Sequence, residues 1–270
     1  MSDGKYAFEK SKIIQGDCLE KMKLIPDGSV DAIIADPPYG STKCKWDDIV
    51  DLDLMWKQLN RIVKPSGAIV LFGAEPYSSK LRISNIEDYK YDWVWDKNTG
   101  TNFQQVKRQP MRYTENIIVF TKHNYYPIKT LRGKEKDYSN CRTLRSTNKN
   151  INHFNSDESK LNVLRKDKYP SNIIRISSQQ AECNNINRIH PTQKPVELLE
   201  YLVKTYTKEG EIVLDFTAGS GTTGEACINL NRNFILIEKE PNYYEVIKER
   251  VGKIFKNYGL DLQPLLNEQM

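Results

Sequence analysis

Glu211-Ile212-Val213-Leu214-Asp215-Phe216-Thr217-Ala218-Gly219-Ser220-Gly221-Thr222-Thr223 reads as a short apolar strand that closes on an acid and opens into a loop of small residues. A helix through Asn229 follows, then a second apolar strand, Asn233-Phe234-Ile235-Leu236-Ile237-Glu238. Strand, loop, helix and strand make a βαβ unit with two parallel strands. An acid ends each strand, and the 23-residue spacing from Asp215 to Glu238 fits the nucleotide-binding pattern in which the second acid meets a ribose. Small residues let backbone approach a ligand closely, and the N–H groups that open the next helix suit anionic or polar groups. The loop carries Gly-Ser-Gly and not the full dinucleotide fingerprint, so a mononucleoside-like ligand fits better than NAD. The plain alternative, glycines serving packing alone, leaves the paired acid unexplained.

Outward from this unit the pattern stays α/β. His190-Pro191-Thr192-Gln193-Lys194-Pro195 precedes a helix over 196–206, and a last helix runs from Pro241 to Phe255. The amino-terminal part holds β-rich runs at 12–15, 30–35, 68–72, 91–95 and 116–120. A helix over 52–63, apolar at Leu52, Met55, Trp56, Leu59, Ile62 and Val63, joins the second run to the third and is stopped by Lys64-Pro65-Ser66-Gly67. The second run ends in Asp36-Pro37-Pro38-Tyr39. Two prolines cannot continue a ladder or enter a helix interior. They can hold a carboxylate, a bare carbonyl and a flat ring at the carboxyl end of a strand, where open α/β sheets bind ligands. A structured turn is the plain alternative. Asp17, in Gly16-Asp17-Cys18, is a third acid at a strand end, placed either to receive an adenine amino group or to cap a helix. The ring of Phe216 either meets a cationic centre or fills the core. Trp93 and Trp95 read as core or wall residues.

Composition narrows the class. The 270 residues suffice for one good-sized core and a small lobe. No segment is apolar enough to cross a bilayer, and the first residues lack signal-peptide blocks, so a cytoplasmic protein is expected. Five scattered cysteines without C-x-x-C spacing and three unpaired histidines point to reduced thiols and to no metal site. The net charge of +5 is uneven. Between Lys129 and Arg175 twelve basic residues face five acidic ones, leaving the remainder of the chain at −2. That stretch is the footprint expected for a polyanion, with a solvated surface loop as the bland reading. It lies in a polar, weakly periodic block, 122–188, that is too long for an ordinary connector. No internal repeat is visible.

Together these residues resemble the DNA amino-methyltransferases that use S-adenosylmethionine (AdoMet). Asp215 to Thr223 resembles the family's AdoMet loop, Glu238 its ribose acid and Asp36 to Tyr39 its catalytic tetrapeptide. His190 to Pro195 resembles the segment that helps hold the methionine end of the cofactor, and Gly16-Asp17-Cys18 the motif at its adenine. The match spans nearly the whole chain, from Lys12 to Phe255. The tetrapeptide precedes the cofactor loop with the basic block between them, the β-type order of the family. Joining the last helix back to Lys12 would restore the ordinary strand succession, a permutation tolerated when chain ends lie close together.

The resemblance implies a Rossmann-like methyltransferase sheet, circularly permuted, mostly parallel with one antiparallel strand, and with helices on both faces. It implies a catalytic half (1–121), a small target-recognition insertion (122–188) and an AdoMet-binding half (189–270). Asp36, Pro37, Pro38 and Tyr39 would be catalytic. Asp17, Cys18, Asp36, His190, Thr192, Gln193, Lys194, Asp215, Phe216, Ala218, Gly219, Ser220, Gly221, Thr222, Thr223 and Glu238 would bind the cofactor. Lys107, Arg108, Arg112, Lys129, Arg132, Arg142, Arg145 and Arg165 would grip double-stranded DNA, and 41–48 would cover the site. An acid opening the tetrapeptide resembles the adenine-N6 enzymes, whereas serine is commoner among cytosine-N4 enzymes. RNA or protein amino groups, or a non-catalytic DNA-binding role, are the rival readings. The resemblance also brings in a homodimer and a cognate restriction endonuclease as partners, though no residue specifies either.

Overall fold

The structure, a computed structural model, describes residues 8–40, 49–121, 123–136, 165–178 and 193–266, with backbone alone at 132–136 and 165–166. In chain order the first elements are β1 (Lys12–Gln15), α1 (Cys18–Met22), β2 (Val30–Ala35), α2 (Leu52–Ile62) and β3 (Val63–Gly73). Then come α3 (Tyr77–Ser84), β4 (Tyr89–Thr101), β5 (Arg112–Phe120), β6 (Thr130–Lys136), β7 (Arg165–Lys168) and β8 (Ile173–Arg175). The carboxyl-terminal part holds α4 (Val196–Tyr206), β9 (Ile212–Asp215), α5 (Thr222–Asn229), β10 (Asn233–Glu238), α6 (Pro241–Asn257) and α7 (Gln263–Leu266).

Eight strands form one sheet in the order β1-β10-β9-β2-β3-β5-β4-β8. Strand β5 runs antiparallel to both neighbours, and every other pairing in this sheet is parallel. The expected mostly parallel sheet with one antiparallel strand is therefore what the chain builds. Because β1 pairs with β10, the first strand of the chain sits where the strand after α6 would lie in an unpermuted sheet. The Phe8 and Phe255 rings touch, with centroids 5.4 Å apart, so the beginning of β1 and the end of α6 are neighbours.

Alternation along the strands sorts the core into two layers, as a pleat with period two requires. Ile34, Phe72, Ile117, Val119, Val213 and Leu236 face one cluster, covered by α4, α5 and α6. Ile33, Leu71, Ile118, Phe120, Leu214 and Ile237 face the other, covered by α1, α2 and α3. Each such side chain, fully buried, contributes about 1.5–3 kcal/mol of apolar transfer free energy. Asp51 accepts from the Leu54 N–H at 3.0 Å and so starts α2.

Two features depart from the sequence expectations. Strand β3 begins at Val63, with Val30 opposite Val63 but Ala32 opposite Ala68, so residues 64–67 loop out as an irregularity. Strands β4 and β5 also run past the end of β3, whose Gly73 pairs with Asn116, through Trp95–Glu115 and Asp96–Thr114 to Thr101–Arg112. That extension is polar, so it gives no apolar alternation to read. It carries the β4–β5 connection beyond the carboxyl ends of β2 and β3.

Residues 127–171 form a second compact unit. Within it β6 and β7 pair antiparallel, Lys129 bridges to Asp167 at 3.0 Å, and its ammonium lies over the Tyr169 ring at 4.9 Å. The strand-like end of the polar block, Ile173–Arg175, belongs to the main sheet as β8.

Candidate active site

The loop after β9 is built around two buried acids. Asp215 accepts from the Thr217 N–H at 3.1 Å and from the Thr223 hydroxyl at 2.6 Å, so loop and helix are tied to the strand end. Burial, with Asp36 and Glu238 nearby, lifts its carboxyl to about 7 despite these bonds. Glu238 accepts from the Gly219 N–H at 2.7 Å and the Glu240 N–H at 2.8 Å, and burial raises its carboxyl too. Gly221 begins α5 at φ +77, and a Cβ there would meet Ile247 at 3.1 Å, so glycine is required on two counts. Arg250 of α6 clamps the loop from behind. It donates to the Ser220 carbonyl at 2.8 Å, pairs with Glu225, and donates to the Gln193 side-chain oxygen at 3.2 Å.

Pairing of β1 with β10 sets Gln15 opposite Glu238, which brings Asp17 to the same rim. Asp17 caps α1 through the Leu19 N–H at 2.9 Å, and Lys239 lies 3.8 Å from its other oxygen. The helix-cap reading of Asp17 therefore holds in this structure. Cys18 is buried, and burial together with Asp17 pushes its thiol up to about 12, which keeps it neutral.

Pairing of β2 with β9 puts Ile33 opposite Leu214, so the Asp36 turn leaves the sheet beside Asp215 and Phe216. The amino-terminal tetrapeptide and the late glycine loop, far apart in sequence, thus share one rim. Asp36 is fully engaged: the Tyr39 hydroxyl donates to Oδ1 at 2.5 Å and the Lys194 ammonium to Oδ2 at 2.5 Å. Burial raises the Asp36 carboxyl, Lys194 opposes that, and Glu115 adds to it. The Tyr39 ring stacks on Tyr77, with centroids 5.1 Å apart. Lys194 lies 5.0 Å over the Phe72 ring and 3.4 Å from Glu115, which Lys97 holds from the far side at 3.0 Å.

One cavity of about 300 Å³ joins these groups. It is lined by Asp17, Cys18, Glu238 and Lys239, by Asp215 to Ser220 with Thr222 and Thr223, and by Asp36, Phe72, Gln193 and Lys194. Phe216, only 1% exposed, is a core aromatic that also forms part of the wall. Acids at the Glu238 end, small residues beside the loop and a carboxylate at the far rim suit an elongated nucleoside carrying a charged tail. Among the described residues four buried side-chain atoms lack a hydrogen-bond partner. Two of them, Thr217 Oγ1 and Tyr77 Oη, belong to residues of the site or in contact with it, and a third, Glu115 Oε2, faces the Lys194 ammonium. Unfilled polar positions of this kind fit a site that expects a ligand.

His190, Thr192, Arg142, Arg145 and the 41–48 cover lie outside the described residues, as do the side chains of Arg132 and Arg165. Lys107, Arg108 and Arg112 are exposed on the β4–β5 connection, away from the cavity lining. Trp93 and Trp95 are buried, donating to the Tyr206 hydroxyl at 2.6 Å and the Ile176 carbonyl at 2.8 Å. Sequence reading missed Glu115, Lys97, Tyr77 and Arg250. Glu115 and Lys97 carried a signal: Glu115 shares strand parity with Ile117 and Val119, and Lys97 with Trp93 and Trp95, so each points where those residues point.

Comparison with known proteins bears on the chain as a whole. Residues 30–249 match the profile of the N6/N4 methyltransferase family, described as DNA methylase. The Type II methyltransferase M.HpaI of Haemophilus parainfluenzae is 27% identical over 263 residues, covering 92% of this chain and 76% of that protein. The crystal structure of the M1.HpyAVI–SAM complex is similar at a TM-score of 0.58 and 27% identity, over 89% of this chain and 98% of that one. PvuII DNA methyltransferase, titled cytosine-N4-specific, shares the fold at a TM-score of 0.60 and 19% identity, over 90% of each chain.

Proposed function

Because the chain belongs to the N6/N4 DNA methylase family, we propose that it transfers a methyl group from AdoMet to the N6 amino nitrogen of adenine in duplex DNA. The observation that carries the reading is the Asp36 carboxylate at the rim of a nucleoside-sized cavity that also holds Asp215, Phe216 and Glu238. AdoMet, when bound, supplies a methyl carbon on a positively charged sulfur, and its C–S electron pair stays on sulfur as the new C–N bond forms. Asp215 to Thr223 and Glu238 would hold the nucleoside, with Glu238 offering its remaining lone pairs to the ribose hydroxyls.

The adenine amino nitrogen is a poor nucleophile because its lone pair is delocalised into the ring. Asp36 and the Pro37 carbonyl each accept one of its N–H hydrogens, drawing the nitrogen toward tetrahedral geometry and localising the lone pair. Positive charge builds on nitrogen during attack, and the fixed anion at Asp36 stabilises it. The proton then leaves the methylated nitrogen for Asp36 or water. Tyr39, stacked on Tyr77 and bonded to Asp36, stands where its ring would meet the base, which must leave the duplex to arrive there.

The acid at position 36 is what favours adenine over cytosine N4. Residues 1–121 form the catalytic half and 189–270 the AdoMet-binding half. Residues 122–188, apart from the main-sheet strand β8, read the target, with Lys129, Arg132, Arg142, Arg145 and Arg165 on phosphates. Lys107, Arg108 and Arg112 grip DNA beside the flipped base. Long-read mapping of modified bases in DNA co-expressed with the chain tests this. N6-methyladenine at one short recurring site is expected; N4-methylcytosine would transfer the reading to the other base, and unmodified DNA would end it.

A further inference from the structure

Four ionisable side chains form an unbroken row away from the catalytic turn: Asp36, Lys194, Glu115 and Lys97. Asp36 Oδ2 to Lys194 is 2.5 Å, Lys194 to Glu115 Oε2 is 3.4 Å, and Lys97 to Glu115 Oε1 is 3.0 Å. Lys97 and Lys194 are almost wholly buried, and each buried side chain has a carboxylate partner. Burial works against ionising Glu115, yet Lys194 and Lys97 outweigh it and hold its carboxyl below the ordinary range.

A lysine bound to one carboxylate alone would spoil the catalytic group. The target amine needs a lone pair on Asp36, and a close Lys194 both occupies one and withdraws negative charge. The structure contains the remedy. Glu115 Oε2 is buried and meets the Lys194 ammonium at 3.4 Å, an ion pair longer than an ordinary hydrogen bond. Shortening that contact from 3.4 Å to an ordinary ~2.9 Å would strengthen the bond to Glu115 and loosen the one to Asp36. We infer that Glu115 is a positioning residue for methyl transfer: it shares the Lys194 ammonium with Asp36, and so sets how firmly Lys194 holds the carboxylate that must receive the target amine. This rests on the proposed role of Asp36.

The other groups facing Asp36 are the Tyr39 hydroxyl of its own turn, Tyr77 of α3 and Asp215 of β9. None of them touches Glu115 in any bond the structure shows, so substitution at 115 reaches Asp36 chiefly through charge and through Lys194. The test measures two things in each variant. One is the pH midpoint of Asp36 in the cofactor-free protein, read by carboxyl-carbon NMR of labelled aspartate and assigned by its loss in Asp36→Asn. The other is the single-turnover rate of methyl transfer against pH.

Glu115→Gln should lower the midpoint by about one pH unit, because a like charge is gone and Lys194 turns wholly to Asp36; Lys194→Met should raise it by a similar amount. The plateau rate of Glu115→Gln should fall about tenfold even though Asp36 is more fully ionised. Glu115→Asp keeps the charge but not the reach, so its midpoint should stay near that of the parent while its rate falls. It carries the test if the amide variant does not fold. A midpoint that Glu115→Gln leaves unmoved, or moves in the same direction as Lys194→Met, would overturn the inference, and so would an undiminished rate in Glu115→Asp. Absence of methyl transfer by the parent protein would instead count against the proposed function, and the NMR midpoints would still judge Glu115.

Discussion

Replacing Asp215 by asparagine should make the protein more stable, and increasingly so as pH rises. The carboxyl is 5% exposed, with two neutral donors and no cation among the partners described, and its value rises from 3.8 to about 7 on folding. The sign follows from linkage. The folded state holds this proton more tightly than the unfolded chain does, so the unfavourable contribution is absent below about pH 4. It grows as pH climbs through the interval to about 7, and is constant above it. A shift of that size corresponds to about 4 kcal/mol at the alkaline plateau, taken as an upper bound because water and relaxation soften buried charges. Asparagine keeps the shape, can accept from the Thr217 N–H, and can donate to the Thr223 hydroxyl. Urea unfolding of both proteins at half-unit steps from pH 4.5 to 8.5 measures the difference directly. The gap should open through pH 5 to 7 and level off. A gap that is constant across the range, or a variant less stable at pH 8, would refute the reasoning about burial.

Three further outcomes follow from the same geometry. Gly221→Ala forces a positive φ on an L side chain and sets a Cβ 3.1 Å from Ile247, which should cost about 1–2 kcal/mol in thermal unfolding and weaken AdoMet binding by calorimetry. Arg250→Ala frees the loop from its clamp on Ser220, Glu225 and Gln193, and should weaken cofactor binding about tenfold while leaving the sheet folded by circular dichroism. Lys107→Ala with Arg108→Ala should weaken DNA binding without touching cofactor affinity, and each lost phosphate contact should reduce the salt slope by about 1 in a titration of affinity against ionic strength.

The frame was legible wherever one rule governed a run of residues. Ile33 and Ile34, or Leu214 and Val213, alternate between the two layers, so the pleat can be read from the chain. The rim was legible because acids, prolines and glycines sit where the strands stop, and such residues have few uses there other than turning the chain or meeting a ligand. Helix α3 was not, since only Tyr77 and Leu81 among its apolar residues turn inward and serine, lysine and arginine fill the remainder. Arg250 was invisible for another reason. Its partners lie 25–57 residues away, and an isolated base on a polar helix face looks like any solvated charge until the pairing is known. Glu115 and Lys97 stood between these cases: their parity was readable, but their pairing with each other and with Lys194 was not.

The central claim is that the Asp36 turn and the glycine loop form one methyl-transfer site. Duplex DNA incubated with the chain and methyl-labelled AdoMet, digested to nucleosides and resolved by mass spectrometry, tests it most directly when the Asp36→Ala protein is run beside the parent. Label in N6-methyladenine from the parent and none from Asp36→Ala, with both proteins run at saturating cofactor, is the expected result. Equal labelling by the two proteins would contradict the claim.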